Sequence, residues 1–328
     1  MIFPQETWSS GHAARPVCGP PGSREKLGIA RDSPSEDLMT TVTIAGQELH
    51  VVDRGNGDPV VFLHAFPFNA AMWEYQYAAL EADHRVIGID LPGFGSSPAP
   101  TDPKATTMDR WADLVAGVLD ELGLEQPPIV AASMGGYLVF ALVRRHLDKL
   151  GPLVLVATRP KSDDVDTWEK RTAQQQALEG GEDLATLAKG MVDNLLSQGS
   201  LERSELVEYV LALMQHNLPE GWIAALEAMK NRPDAMGALR GMPRKTLVIA
   251  GELDRITPLA ESTLITRLVA DGELTVIKDS SHLPNLENPV EFNEVLKRFL
   301  DSLAAGEPEA EGEATDAAAE PTEATEAE

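Results

Sequence analysis

The run Ile129-Val130-Ala131-Ala132-Ser133-Met134-Gly135-Gly136-Tyr137 holds the residue best placed for nucleophilic chemistry. An apolar strand leads directly into Ser133, and Leu138, Val139, Ala141, Leu142 and Val143 continue as a helix. A strand-to-helix turn this tight forces the serine into a strained backbone conformation and exposes its Oγ at the sheet edge. Such a turn needs small residues two before and two after the serine, here Ala131 and Gly135. The helix that begins there aims its unpaired N–H groups and positive dipole end at the same point. An ordinary buried turn with a capping serine is the competing reading.

A serine hydroxyl is a weak nucleophile until a base takes its proton and an acid orients that base. Of seven histidines, His282 follows the last strand-like segment and precedes the final helix. Gly251-Glu252-Leu253-Asp254 follows the preceding strand-like segment, and Asp254 lies nearer the expected turn apex than Glu252. Loops at the carboxyl ends of parallel strands bring such side chains to one face of a sheet. An oxyanion then needs two N–H donors. Met134, which follows the serine, supplies one amide, and Phe66 in the early loop His64-Ala65-Phe66-Pro67-Phe68-Asn69 is chosen for the other. His64 is read as a brace for that loop. Asp90-Leu91-Pro92-Gly93-Phe94-Gly95-Ser96-Ser97 lacks the lysine of a phosphate loop and is read as structural.

The elements that must position these groups alternate along residues 41–303. Strands are expected at Glu48–Asp53, Val60–Leu63, Val86–Asp90, Ile129–Ala132, Leu153–Ala157, Thr246–Ala250 and Leu274–Ile277. Most are continuous apolar runs, as parallel strands covered on both faces require. Trp111, Leu114, Val115, Val118, Leu119 and Leu122 fall on one helix face, and the final helix repeats the spacing from Phe292 to Leu303. Asn288, Pro289 and Glu291 form a capping box with proline at the first helical position. Strand–helix alternation of this kind predicts a doubly wound, mostly parallel α/β sheet. From Pro160 to Met242 the pattern is helical only, which predicts an inserted lid above the carboxyl ends of the strands.

Composition narrows the rest. The chain has 328 residues, ample for a buried core, and a single cysteine, Cys18, which excludes a disulfide framework and Cys-based metal sites. With 27 Lys and Arg against 52 Asp and Glu, the formal charge is −25, which argues against a nucleic-acid partner. No apolar run is long enough to span a bilayer, and the first residues lack the pattern of a secretory signal, so a cytoplasmic location is expected. Residues 1–40 are expected to be a disordered extension, with Met39 standing just before the alternation Thr41-Val42-Thr43-Ile44. Residues 304–328 hold nine acids and no base and read as a disordered, solubilising tail.

Taken together, the His64-Ala65-Phe66-Pro67 loop, Trp73, the Asp90–Ser97 loop, Ala132-Ser133-Met134-Gly135-Gly136, Gly251-Glu252-Leu253-Asp254 and His282 resemble the α/β-hydrolase superfamily. The resemblance covers residues 46–303. Ala65 departs from the usual His-Gly pair. Ala228-Met229-Lys230-Asn231-Arg232-Pro233-Asp234 and His282-Leu283-Pro284-Asn285-Leu286-Glu287-Asn288-Pro289 are similar to phrases of the 3-oxoadipate enol-lactonase-like group, which related esterases and cofactor-free perhydrolases share. The resemblance implies a serine hydrolase that cleaves a small carboxylic ester or lactone with no cofactor and no metal. A perhydrolase or acyltransferase on the same residues, or a non-catalytic binding protein of this fold, are the alternatives. An enol-lactonase must hold a substrate carboxylate, and Arg159, at the end of a strand beneath the lid, is the candidate anchor. Fourteen acids against eight bases over residues 160–240 weigh against an anionic substrate.

Overall fold

The computed structural model describes residues 38–304. Its strands are β1 (Leu38–Ile44), β2 (Gln47–Arg54), β3 (Asp58–Leu63), β4 (His84–Ile89), β5 (Ile129–Ala132), β6 (Leu153–Val156), β7 (Thr246–Gly251) and β8 (Gly272–Ile277). They form one sheet in the order β1-β2-β4-β3-β5-β6-β7-β8. From β4 to β8 in that order all neighbours are parallel. β1 and β2 join antiparallel at one edge. This is the α/β sheet that the apolar runs predicted. The central strands β5 and β6 are buried at every position, as two-sided coverage demands.

The expected N-terminal extension and acidic tail lie outside the described residues, apart from their inner ends. Leu38–Thr40, assigned from sequence to the extension, open β1 and pair with Val51–Asp53 of β2. The alternation in Thr41–Ile44 marked only four of the seven residues of this strand. Its start is set by the partner strand, which residues outside the alternation can pair with through backbone groups alone. Ala45 and Gly46, both at positive φ, make the two-residue turn between β1 and β2.

Between the strands lie α1 (Glu74–Leu80), α2 (Met108–Glu121) and α3 (Met134–Arg145). The insert after β6 contains α4 (Val165–Glu179), α5 (Leu184–Leu195), α6 (Gln198–Leu201), α7 (Ser204–Gln215), α8 (Pro219–Lys230) and α9 (Met236–Leu239). The chain closes with α10 (Leu259–Leu268), α11 (Pro284–Glu287) and α12 (Pro289–Ala304). Side-chain caps start three of the six helices of this insert, here termed the lid: Asp164, Asp183 and Ser197 accept the N–H of Thr167, Thr186 and Ser200. In α12, Phe292, Val295, Leu296, Phe299 and Leu300 are buried, on the face that their spacing gave. Asn288 and Glu291 exchange the hydrogen bonds of a cap at its start.

The lid is seated on the body by backbone proximity as well as by side chains. Gly93, at φ +84°, lies against Gly221 at the start of α8, and Leu218 N–H donates to the Gly93 carbonyl at 2.9 Å. A Cβ on Gly221 would lie 2.3 Å from the Gly93 oxygen, a main-chain atom with no freedom to swing aside. Gly221→Ala should therefore act as overpacking and cost about 1–3 kcal/mol. Calorimetry of the full chain would read this as a fall in thermal midpoint of about 2–4 °C per kcal/mol. An unchanged midpoint would show that the lid can shift freely over the 90–97 loop.

Candidate active site

Ser133 caps the start of α3 with φ +48° and ψ −105°, a conformation that side chains rarely adopt. Its neighbours impose it. Ser133 N–H donates to Val156 O of β6 at 2.8 Å, and the Ser133 carbonyl accepts the Thr158 hydroxyl at 2.8 Å. Gly135 lies so close to β3 that a Cβ would stand 2.6 Å from Leu63 O. The small residue that the sequence pattern required two positions after the serine is thus required by the backbone of the adjacent strand.

Asp254 and His282 reach the serine from the carboxyl ends of β7 and β8. The two loops meet because Gly251 has no side chain: a Cβ there would stand 1.9 Å from Ser281 O. Leu253 N–H donates to Ser280 O at 2.8 Å and closes the contact. His282 Nε2 lies 3.0 Å from Ser133 Oγ, and its Nδ1 lies 2.8 Å from Asp254 Oδ2. All three residues are buried. Asp254 Oδ1 accepts the amides of Ile256 and Thr257, and Oδ2 also accepts the Thr257 hydroxyl. Burial pushes the Asp254 carboxyl up, but the charge and hydrogen bond of His282 and the Thr257 donors outweigh it and hold it below the usual carboxylate range. Glu252, the alternative in the same loop, instead accepts the Asp279 amide at 3.1 Å.

The loop that carries Phe66 is pinned on both sides. His64 is fully buried, its Nδ1 lies 3.0 Å from Ala65 O, and Leu91 N–H donates to its Nε2 at 3.2 Å. These partners fix the neutral tautomer with the proton on Nδ1. Burial lowers its pKa, against the smaller opposing effects of Ala65 and Asp90. It braces the loop, as its position suggested, and bonds to neither Ser133 nor Asp254. The Phe66 ring packs edge-on against Trp222 of the lid, centroids 5.1 Å apart. Among the described residues, neither the Phe66 amide nor the Met134 amide has an acceptor. Met134 is the first residue of α3, where helix geometry leaves the N–H unpaired.

Arg159 ends up in a charged cluster that sequence reasoning did not foresee. Its Nη2 donates to Asp163 Oδ1 at 2.8 Å, and the same carboxylate also binds Arg171 and Arg232. The Asp163 side chain is 1% exposed, so three guanidiniums share one buried negative charge. Burial pushes the Asp163 carboxyl up, and Arg171 and Arg232 outweigh it and hold it below its ordinary value. Arg232 also stacks on the Tyr137 ring of α3 at 3.9 Å.

Asn217, at the hinge between α7 and α8, was also unmarked in the sequence. Its Nδ2 donates to Pro67 O, while its Oδ1 accepts Asn69 Nδ2 and the Gly95 amide. It therefore joins the Phe66 loop, the 90–97 loop and the lid in one buried knot. Only the spacing Pro219 after Asn217, a helix-start signal, hinted that this residue stood at a junction.

Comparison with known proteins gives the family of the chain. The alpha/beta hydrolase fold family profile matches residues 58–289. The 2-hydroxymuconate semialdehyde hydrolase of Pseudomonas sp. (strain CF600) is 28% identical over 275 residues, 81% of this chain and 95% of its own. The 3-oxoadipate enol-lactonase 1 of Acinetobacter baylyi is 25% identical over 268 residues, 79% of this chain and 95% of its own. Among solved structures, a thermophilic esterase from Thermogutta terrifontis, with malate bound, superposes with a TM-score of 0.76 at 30% identity, covering 81% of this chain and 98% of the other. The profile spans well over half of the sequence, and the chain therefore belongs to the alpha/beta hydrolase fold family, as an enzyme of the hydrolase class.

Proposed function

We propose that the chain is a serine hydrolase of small carboxylic esters or lactones, working through an acyl-enzyme in the manner of an enol-lactonase. The observation that carries this reading is the buried hydrogen-bonded line from Asp254 through His282 to the strained Ser133. In this mechanism His282 Nε2 takes the Ser133 proton as Oγ attacks the substrate carbonyl carbon. Asp254 keeps the other ring proton on Nδ1 and stabilises the imidazolium that forms. The unpaired amides of Phe66 and Met134 receive the oxyanion. Collapse breaks the bond to the alkoxy oxygen, which takes the proton from His282; in a lactone that oxygen stays tethered to the acyl group. A water deprotonated by His282 then hydrolyses the acyl-enzyme. The relatives named as an enol-lactonase and an esterase support this bond type.

A carboxylate on the substrate fits the same site. Three guanidiniums around one carboxylate leave local positive charge, and the Nε of Arg159 is buried without a partner among the described residues. Arg159 adjoins Thr158, whose hydroxyl holds the Ser133 carbonyl. Arg159→Gln should raise KM for a carboxylate-bearing ester about tenfold, about 1.4 kcal/mol, and leave KM for an uncharged ester of the same size unchanged. Equal effects on both esters would remove Arg159 from substrate binding.

Stopped-flow hydrolysis of a p-nitrophenyl ester tests the core reading. The parent should release a burst of nitrophenol equal to the active sites, and Ser133→Ala should lose the burst and turnover on the order of 10³-fold or more. Turnover near the parent value in Ser133→Ala overturns the assignment. Asp254→Asn should cost up to on the order of 10⁴-fold in kcat, because the ring loses its correct tautomer. Glu252→Gln should leave kcat close to the parent value; the reverse order would move the acid to Glu252.

The pH profile follows from the same roles. Protonated imidazole cannot take the serine proton, so kcat/KM should climb with rising pH along a one-proton limb. Asp254 is held below its ordinary value by its neighbours and stays ionised across that limb. A profile that falls with pH over the same range would rule out His282 as the base.

A further inference from the structure

Glu287, the last residue of α11, is a buried carboxylate that accepts hydrogen bonds from three main-chain amides. Its Oε1 accepts the N–H of Ser281 at 2.7 Å and of Leu283 at 3.3 Å, the residues on either side of His282. Its Oε2 accepts the N–H of Ser197 at 2.7 Å, between α5 and α6 of the lid. The amide of His282 itself donates to Leu195 O, the last residue of α5, at 3.1 Å. Every main-chain N–H from Ser281 to Leu283 is thus held by Glu287 or by the lid. Charge-assisted bonds of this kind are about twice as strong as neutral ones, so the carboxylate is a stiff clamp.

We infer that Glu287 is a positioning residue for the hydrolytic reaction: it fixes the backbone of His282 and ties that backbone to the lid. The inference rests on His282 being the base. The imidazole reaches Ser133 Oγ across 3.0 Å and Asp254 across 2.8 Å, and rotating either peptide plane beside His282 would spoil both distances together. Misplacement of a reacting group by about 1 Å costs on the order of 10²-fold. The clamp has two separable arms. A glutamine keeps one acceptor oxygen, enough for Ser281 and Leu283, but turns an NH₂ donor toward Ser197. An alanine removes both arms.

The test measures kcat, KM and burst amplitude with a p-nitrophenyl ester for Glu287→Gln and Glu287→Ala, with Ser133→Ala alongside. Normalised to titrated sites, kcat should fall on the order of 10²-fold in Glu287→Ala and about tenfold in Glu287→Gln, with KM within about threefold of the parent in both. A role in folding alone would shrink the burst amplitude and leave kcat per titrated site at the parent value, which would overturn the inference. If Glu287→Ala does not fold, Glu287→Gln decides: an unchanged kcat per site overturns the proposal, and a selective kcat loss supports it. Should Ser133→Ala keep its turnover, the hydrolase reading fails independently of Glu287. Should Ser133→Ala be inactive while both Glu287 variants turn over normally, only the positioning role fails.

Discussion

A side chain at φ +48° and ψ −105° is stable only where surrounding structure leaves no alternative, and Ser133 occupies that conformation. Such strain costs of order 1–3 kcal/mol. The offset comes from the sheet. Ser133 N–H completes the ladder to β6, and the Thr158 hydroxyl takes its carbonyl, so both polar groups of the strained residue are satisfied. Ala157, beside Thr158, also stands at positive φ, and its N–H is held by Ile249 of β7. Strain at the end of β5 is therefore shared with the end of β6 and anchored to β7. The three strands that supply this anchoring are buried along their whole length.

The remaining site groups come from loops, and loops are the mobile parts of most folds. Here each loop is restrained by a buried polar residue with several partners. Asp90 bonds His50, the Ala70 amide and the Ser96 amide, and so shapes the turn after β4. Burial pushes its carboxyl up, but His50 and those amides outweigh it and hold it low. His64 holds the Phe66 loop to Leu91, and Asn217 holds it to the lid. A buried polar group left unmatched costs about 1–3 kcal/mol, so each of these residues penalises any rearrangement that breaks its set. The restraint is enthalpic and directional, which apolar packing is not.

Much of this was legible in the sequence, for a definite reason. Apolar runs, helix spacing and caps are local patterns, and they marked seven of the strands and the long helices to within a few residues. Ser133, Asp254 and His282 were legible because each follows a recognisable strand, and strand ends of a parallel sheet share one face. The choice of Asp254 over Glu252 rested on turn position; in the structure Asp254 bonds His282, while Glu252 bonds the Asp279 amide. Asn217 and Glu287 were not legible. Each is tied to a distant segment, Asn217 to Asn69 across 148 residues and Glu287 to Ser197 across 90, and no periodicity links such pairs. The start of β1 was missed because strand pairing, not side-chain pattern, sets it.

Charge shows the same contrast between sum and arrangement. The lid carries more acids than bases, which read from composition as unfavourable to an anion. Yet exposed charges farther apart than about 8 Å are largely screened at physiological salt, whereas buried ones are not. Many of the lid acids, such as Asp166, Glu169 and Glu182, stand exposed. The arginines 159, 171 and 232 converge on an aspartate with 1% exposure, where little water intervenes. A desolvated cation demands a counter-charge far more strongly than a solvated one. The local charge around Asp163 is consequently set by this cluster, and the total of charges over residues 160–240 carries little information about it.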